Sequence, residues 1–132
     1  MGLRRGAAIG CAVISAGVVA FQVALAAGVP WGSYAMGGGF RGRFPPAMRV
    51  AALMPAVLIV LMTLVVLSRA GLTLPSWSYA SRRLVWLVVA LGVVSFVLNV
   101  ATPSAGERMI WAPATFLLLA CGVLVATDKA AR

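Results

Sequence analysis

Four uncharged apolar runs, separated by short arginine-bearing segments, fill most of this 132-residue chain and restrict what it can fold into. Residues 6–40, 50–68, 84–106 and 109–127 carry no charged side chain. Each run approaches or exceeds the roughly 20 residues that a helix needs to cross a hydrocarbon core of about 30 Å. Lipid offers no partners to open backbone, and the strand-like alternation of a barrel is absent, so helices are the remaining spanning solution. The expected fold is all-α, a four-transmembrane-helix bundle forming a single membrane domain over residues 1–132. Its helices are predicted at residues 7–29, 50–68, 84–102 and 105–127. An outer loop at 30–49, a cytoplasmic loop at 69–83 and a short outer loop at 102–108 join them.

Hydrophobic residues make up 63% of the chain, against roughly 45–50% in a typical soluble domain. A chain of this size has too little interior to hide that much apolar surface from water. Lipid is the expected cover. The charge balance, 11 Lys and Arg against 2 Asp and Glu, would suggest nucleic acid in a soluble protein. Here the cations sit at helix ends, where they serve as topology signals and meet anionic lipid headgroups, so no nucleic-acid partner is expected.

Their distribution orients the chain. Arg4, Arg5, Arg69, Arg82, Arg83, Lys129 and Arg132 fall on segments that share one side, whereas Arg41, Arg43, Arg49 and Arg108 fall on the other. The excess of cations predicts that both termini are cytoplasmic, an N-in/C-in multi-pass protein of the inner (plasma) membrane. Arg4-Arg5, the apolar run and Ala24-Leu25-Ala26 have the outline of a signal peptide. The apolar run continues past that site, so a retained helix is the reading adopted, with cleavage as its alternative.

Cys11 and Cys121 are the only cysteines, and the chain has no histidine. Without C-x-x-C spacing or imidazole ligands there is no expected redox, metal or cofactor centre, and the two thiols are read as small packing residues at similar depth. With no carboxylate at membrane depth and no acid–base pair, no catalytic residue is nominated and enzymatic activity is not expected.

The helices carry readable faces. Ala12, Ala16, Ala20, Ala24 and Gly28 recur every four residues, a small-residue stripe through which another helix, a second copy or a larger membrane partner could approach closely. Pro55 is expected to bend or loosen the start of the second helix. Gly92, Ser95 and Asn99 share one face of the third. Ser104 to Glu107 fits an S-x-x-E capping box at the start of the fourth, with Ser104 bonding forward and Glu107 reaching back. Trp77 and Tyr79 in the second loop suit the membrane interface. The first loop, with Pro30-Trp31-Gly32, Gly37-Gly38-Gly39-Phe40 and Arg41 to Pro46, is long, and glycine flexibility is its simplest account.

One candidate site follows, a shallow outer-leaflet cluster of Gln22, Trp31, Arg43, Arg49, Ser95, Asn99, Glu107, Arg108 and Trp111. Its expected occupant is a lipid headgroup, an isoprenoid-linked molecule or a partner helix. Pro30-Trp31-Gly32, Pro45-Pro46 with Arg49, and Asn99 with Thr102-Pro103-Ser104, Glu107-Arg108 and Trp111-Ala112-Pro113 resemble the pattern of a group of small, uncharacterised four-helix bacterial membrane proteins. The resemblance implies topology alone and transfers no site residue. Ten arginines against one lysine, with abundant Ala, Gly and Val, suggest a GC-rich genome such as an actinobacterial one. The functional expectation is an accessory, scaffold or lipid-interacting membrane protein, with a small transporter or lipid-linked-sugar flippase as the alternative.

Overall fold

The computed structural model describes residues 2–39 and 42–128; Phe40, Arg41, Lys129 and Arg132 lie outside the described residues. The architecture is all-α, with no strand among the described residues. The helices are α1 (Gly2–Ala27), α2 (Pro46–Ala51), α3 (Leu53–Arg69), α4 (Ser78–Ala101) and α5 (Ala105–Thr127). Four segments are long and apolar enough to span a membrane: α1, α2 continued into α3, α4 with the turn before it, and α5.

Local chemistry sets the helix ends. The first helix stops at Ala27 rather than near residue 29 because Gly28 turns left-handed (φ +98°). The Gly28 amide then donates to the Leu25 carbonyl and the Val29 amide to the Ala24 carbonyl, closing a Schellman cap. Gly71 ends α3 in the same way, with amides of Gly71 and Leu72 donating to the carbonyls of Ser68 and Leu67. The second crossing does not start at residue 50. It begins at Pro46, a residue preset for the first helical position, and breaks at Ala52. Pro55 explains the break, since it has no amide to offer the Ala51 carbonyl and its ring crowds that group. The third crossing starts at Ser78, not near residue 84, after a turn at Pro75–Trp77. Arg82, Arg83 and Tyr79 therefore stand on α4 rather than in a loop.

The four spans form a ring in chain order, with α1 against α3 and α5, and α4 against the same two helices from the other side. Short connections between antiparallel neighbours make this the simplest closure. The side chains are sorted inside out relative to a water-soluble bundle. Leu61, Trp86, Leu87, Leu98, Phe116 and Leu117 point outward and are exposed, and only 6% of the most apolar window of α4 is buried. Such an apolar surface is compatible with a membrane around it. Small residues occupy the helix contacts instead: Gly92 packs on Leu119, and Gly122 against Val89.

Two cores lie at opposite ends. Ala8, Cys11, Val65, Val66, Ala70, Val85 and Val125 form one near Arg4. Leu25, Ala35, Phe44 and Ala52 form the other, near Glu107. The inward positions between them hold Ser15, Thr63, Gly92, Ser95 and Thr115. These side chains are too small to fill a ring of four helices.

Candidate functional site

That deficit leaves a cavity of about 430 Å³ in the bundle interior, within the roughly 300–1,000 Å³ range of small-molecule sites. It runs from Cys11, Val66 and Val88 at one end to Tyr34, Met36 and Glu107 at the other. Cys11 to Gln22 alone spans about 16 Å of helix at 1.5 Å per residue. The lining thus extends along α1 beyond the outer-leaflet residues expected from sequence. Leu58 (46% exposed) on α3 and Val94 (54% exposed) on α4 line the cavity and also reach the surface.

Its walls are mostly apolar, with polar groups concentrated toward the Glu107 end. Gln22 stands on α1 with its Oε1 buried and without a hydrogen-bond partner. On α4, Asn99 spends its Nδ2 on the Ser95 carbonyl at 2.7 Å, one turn earlier. On α5, Thr115 donates to the Trp111 carbonyl at 2.7 Å, in the stretch where Pro113 interrupts the helical ladder. A buried acceptor with no donor is a standing cost. A ligand hydroxyl or amide would relieve it.

The cavity is roofed by the loop between α1 and α2, which is folded rather than slack. Two 3₁₀ turns, Gly32–Tyr34 and Met36–Gly38, are tied to the start of α5. Glu107 Oε2 accepts from the Gly37 amide at 2.9 Å and from Thr102 Oγ1 at 3.0 Å. Ser104 Oγ donates to the Ser33 carbonyl at 2.6 Å while accepting the Glu107 amide at 3.1 Å. Trp111 Nε1 donates to the Tyr34 carbonyl at 2.8 Å. The capping box is thus half formed. Ser104 caps α5, but Glu107 turns away from the Ser104 amide, which takes Thr102 Oγ1 instead at 3.3 Å. Glycine permits the close approach: a Cβ on Gly38 would sit 3.0 Å from that of Ser104.

Of the nine residues nominated from sequence, Gln22, Ser95, Asn99, Glu107 and Trp111 line this one cavity. The other four do not. Trp31 is exposed and stacks on Phe21 at 6.0 Å, with Phe21 in turn 4.6 Å from Trp111. Arg49 is turned onto the end of α1, where its Nε donates to the Ala26 carbonyl at 2.8 Å and its guanidinium covers Gly28. Arg108 reaches back to the Thr102 carbonyl at 2.8 Å, and Arg43 is exposed. The arginines saw nearer and stronger acceptors, the orphan carbonyls at helix ends. Sequence reasoning missed Ser15, Phe21, Thr63 and Thr115; for Thr115 the available signal was its place four residues after Trp111.

The small-residue stripe lines a second, more open groove that shares Ser15 and Thr63 with the cavity. Ala12, Ala16, Ala20 and Ala24 line it with Val60 and Leu64 of α3. Cys121 Sγ approaches Gly10, one residue from Cys11, and both thiols are free. Comparison with family models, curated proteins and solved structures gives no match.

Proposed function

We propose that this chain is a lipid-interacting accessory protein of the plasma membrane whose interior cavity takes the apolar chain of an amphipathic lipid. The observation that carries this reading is the combination of a largely apolar cavity, the surface exposure of its lining residues Leu58 and Val94, and the unsatisfied Gln22 Oε1 inside it. An acyl or isoprenyl chain enters between α3 and α4, and a hydroxyl or amide of the head region meets Gln22 and Asn99 under the Tyr34–Met36 roof. Membrane lipid is the ligand class that the exposed Leu58 and Val94 meet at high concentration.

The orientation proposed is N-in/C-in. Arg4, Arg5, Arg69, Arg82 and Arg83 gather at one end of the ring, against Arg43, Arg49 and Arg108 at the other, which supports a cytoplasmic Arg4 end. The arginine-rich, lysine-poor composition supports a bacterial, GC-rich source, and α1 is kept as part of the working protein. A second reading, a flippase for a lipid-linked sugar, is favoured by one feature, the length of the cavity from Cys11 to Glu107. The stripe on α1 is the face we assign to a second copy or larger partner.

Native mass spectrometry of the full chain, released from nanodiscs of bacterial polar lipid, tests the main reading. The wild type is expected to retain an isoprenoid or acyl lipid that Gln22→Leu retains less. A wild type released bare under the gentlest conditions would contradict it.

A further inference from the structure

The opposite end of the bundle holds a side chain that helix packing does not explain. Arg4 stands in the first turn of α1, only 8% exposed, and its Nε and Nη1 meet no hydrogen-bond acceptor among the described residues. A guanidinium withdrawn from water with donors unpaired is strongly unfavourable, and buried cations are ordinarily completed by an anion. The surroundings offer none to these two nitrogens. Ala8, Ala70, Val85 and Val125, all fully buried, make this end apolar, and the buried Ser81 hydroxyl donates to the Ser78 carbonyl at 3.0 Å without accepting from Arg4 Nε or Nη1.

More positive charge converges on the same place. Arg69 ends α3 and Arg82 stands in the first turns of α4. Arg4 and Arg82 both act electrostatically on Arg69, and Asp128 acts on it with the opposite sign. Among the described residues that act on Arg69, two are guanidinium groups and one is a carboxylate, which leaves a positive surplus.

We propose that Arg4, with Arg69 and Arg82, forms a binding site for a phosphate group at the end of the bundle opposite the lipid cavity. The planar guanidinium fork matches phosphate oxygens in bidentate fashion, which lysine cannot reproduce. Two sources present this chemistry to a membrane protein: the headgroup of an anionic phospholipid and free inorganic phosphate. The site stands apart from the cavity reading, since it shares no residue with the cavity.

The test uses the full chain as wild type, Arg4→Gln, Arg4→Lys and Arg5→Gln, the last removing an exposed charge from the same turn. One arm reconstitutes each into phosphatidylcholine nanodiscs doped with phosphatidylglycerol and measures retained phosphatidylglycerol by native mass spectrometry. The other titrates inorganic phosphate onto protein in pure phosphatidylcholine and follows Tm. Wild type is expected to respond in at least one arm, which identifies the source. Arg4→Gln is expected to weaken that response about tenfold or more, with Arg4→Lys between the two and Arg5→Gln close to wild type. Should Arg4→Gln fail to fold, the Arg4→Lys loss against an unchanged Arg5→Gln carries the result. No wild-type response in either arm, or an equal loss in Arg5→Gln, overturns the site.

Discussion

Glu107 on α5 accepts the backbone amide of Gly37 at 2.9 Å, across 70 residues of chain. This one bond decides what the first loop is. A glycine-rich segment that reads as slack becomes a roof because a carboxylate at the start of α5 holds it down, with Ser104 and Trp111 bonding the preceding turn at Ser33 and Tyr34. Tyr34 and Met36 of this roof line the cavity beneath it while keeping part of their surface exposed.

Removing the carboxylate should release the roof. Hydrogen bonds to a charged acceptor contribute about 1.5–3 kcal/mol, and Glu107 makes two while sitting only partly buried. Glu107→Ala is expected to lower stability by about 1–3 kcal/mol, read as a fall in Tm in detergent. It should also expose the 32–38 segment to limited proteolysis. An unchanged digestion pattern would show that the loop holds its shape without α5.

Gly106 makes a sharper case. A Cβ there would fall 2.5 Å from Tyr34 Cε1 and 2.8 Å from Cδ1, while the Tyr34 carbonyl is held by Trp111. Gly106→Ala should cost about 1–3 kcal/mol through overpacking, despite alanine being the better helix former. Tyr34→Ala in the same chain should restore most of the loss. Failure of that rescue in a double-mutant cycle would place the strain elsewhere.

Arg49 acts as a cap rather than a ligand contact. Its Nε donates to the Ala26 carbonyl near the negative end of α1. Arg49→Ala is expected to destabilise by about 1–2 kcal/mol and to speed hydrogen exchange in the last turn of α1. Arg49→Lys should recover little, because lysine has no donor at the Nε position and no plane to lay over Gly28.

Gln22 separates ligand contact from packing. Its Oε1 is buried and unpartnered, so Gln22→Leu removes an unsatisfied acceptor and should raise stability in lipid-free detergent by about 1 kcal/mol. The same change is expected to reduce retained lipid. Greater stability with undiminished lipid would mark Gln22 as a spectator.

What could be read from the residues follows from how locally each feature is determined. Run length marks four crossings because lipid leaves a backbone no alternative to the helix. The shared face of Gly92, Ser95 and Asn99 follows from helical spacing, as does the cap at Ser104. The helix ends shifted where single residues took control, at Gly28, at Pro55 and at the Pro75 turn. The site was legible only in part because depth follows from helix geometry, whereas arginine orientation does not. Arg49 and Arg108 found carbonyls set free by helix ends, and no spacing rule in the sequence announces that. Nor does it announce that Glu107 would pass over the Ser104 amide for Gly37, a choice made by the folded loop.

The proposed entry of lipid chains into the bundle can be read by fluorescence. Brominated acyl chains quench tryptophan on contact, and Trp111 lines the cavity. In a variant retaining Trp111 alone, with Trp31, Trp77 and Trp86 replaced by Phe, quenching by dibrominated phospholipid should be strong and should fall sharply when Ser95→Phe fills the cavity. Quenching that is absent from the start, or that survives the filled cavity unchanged, would contradict the account.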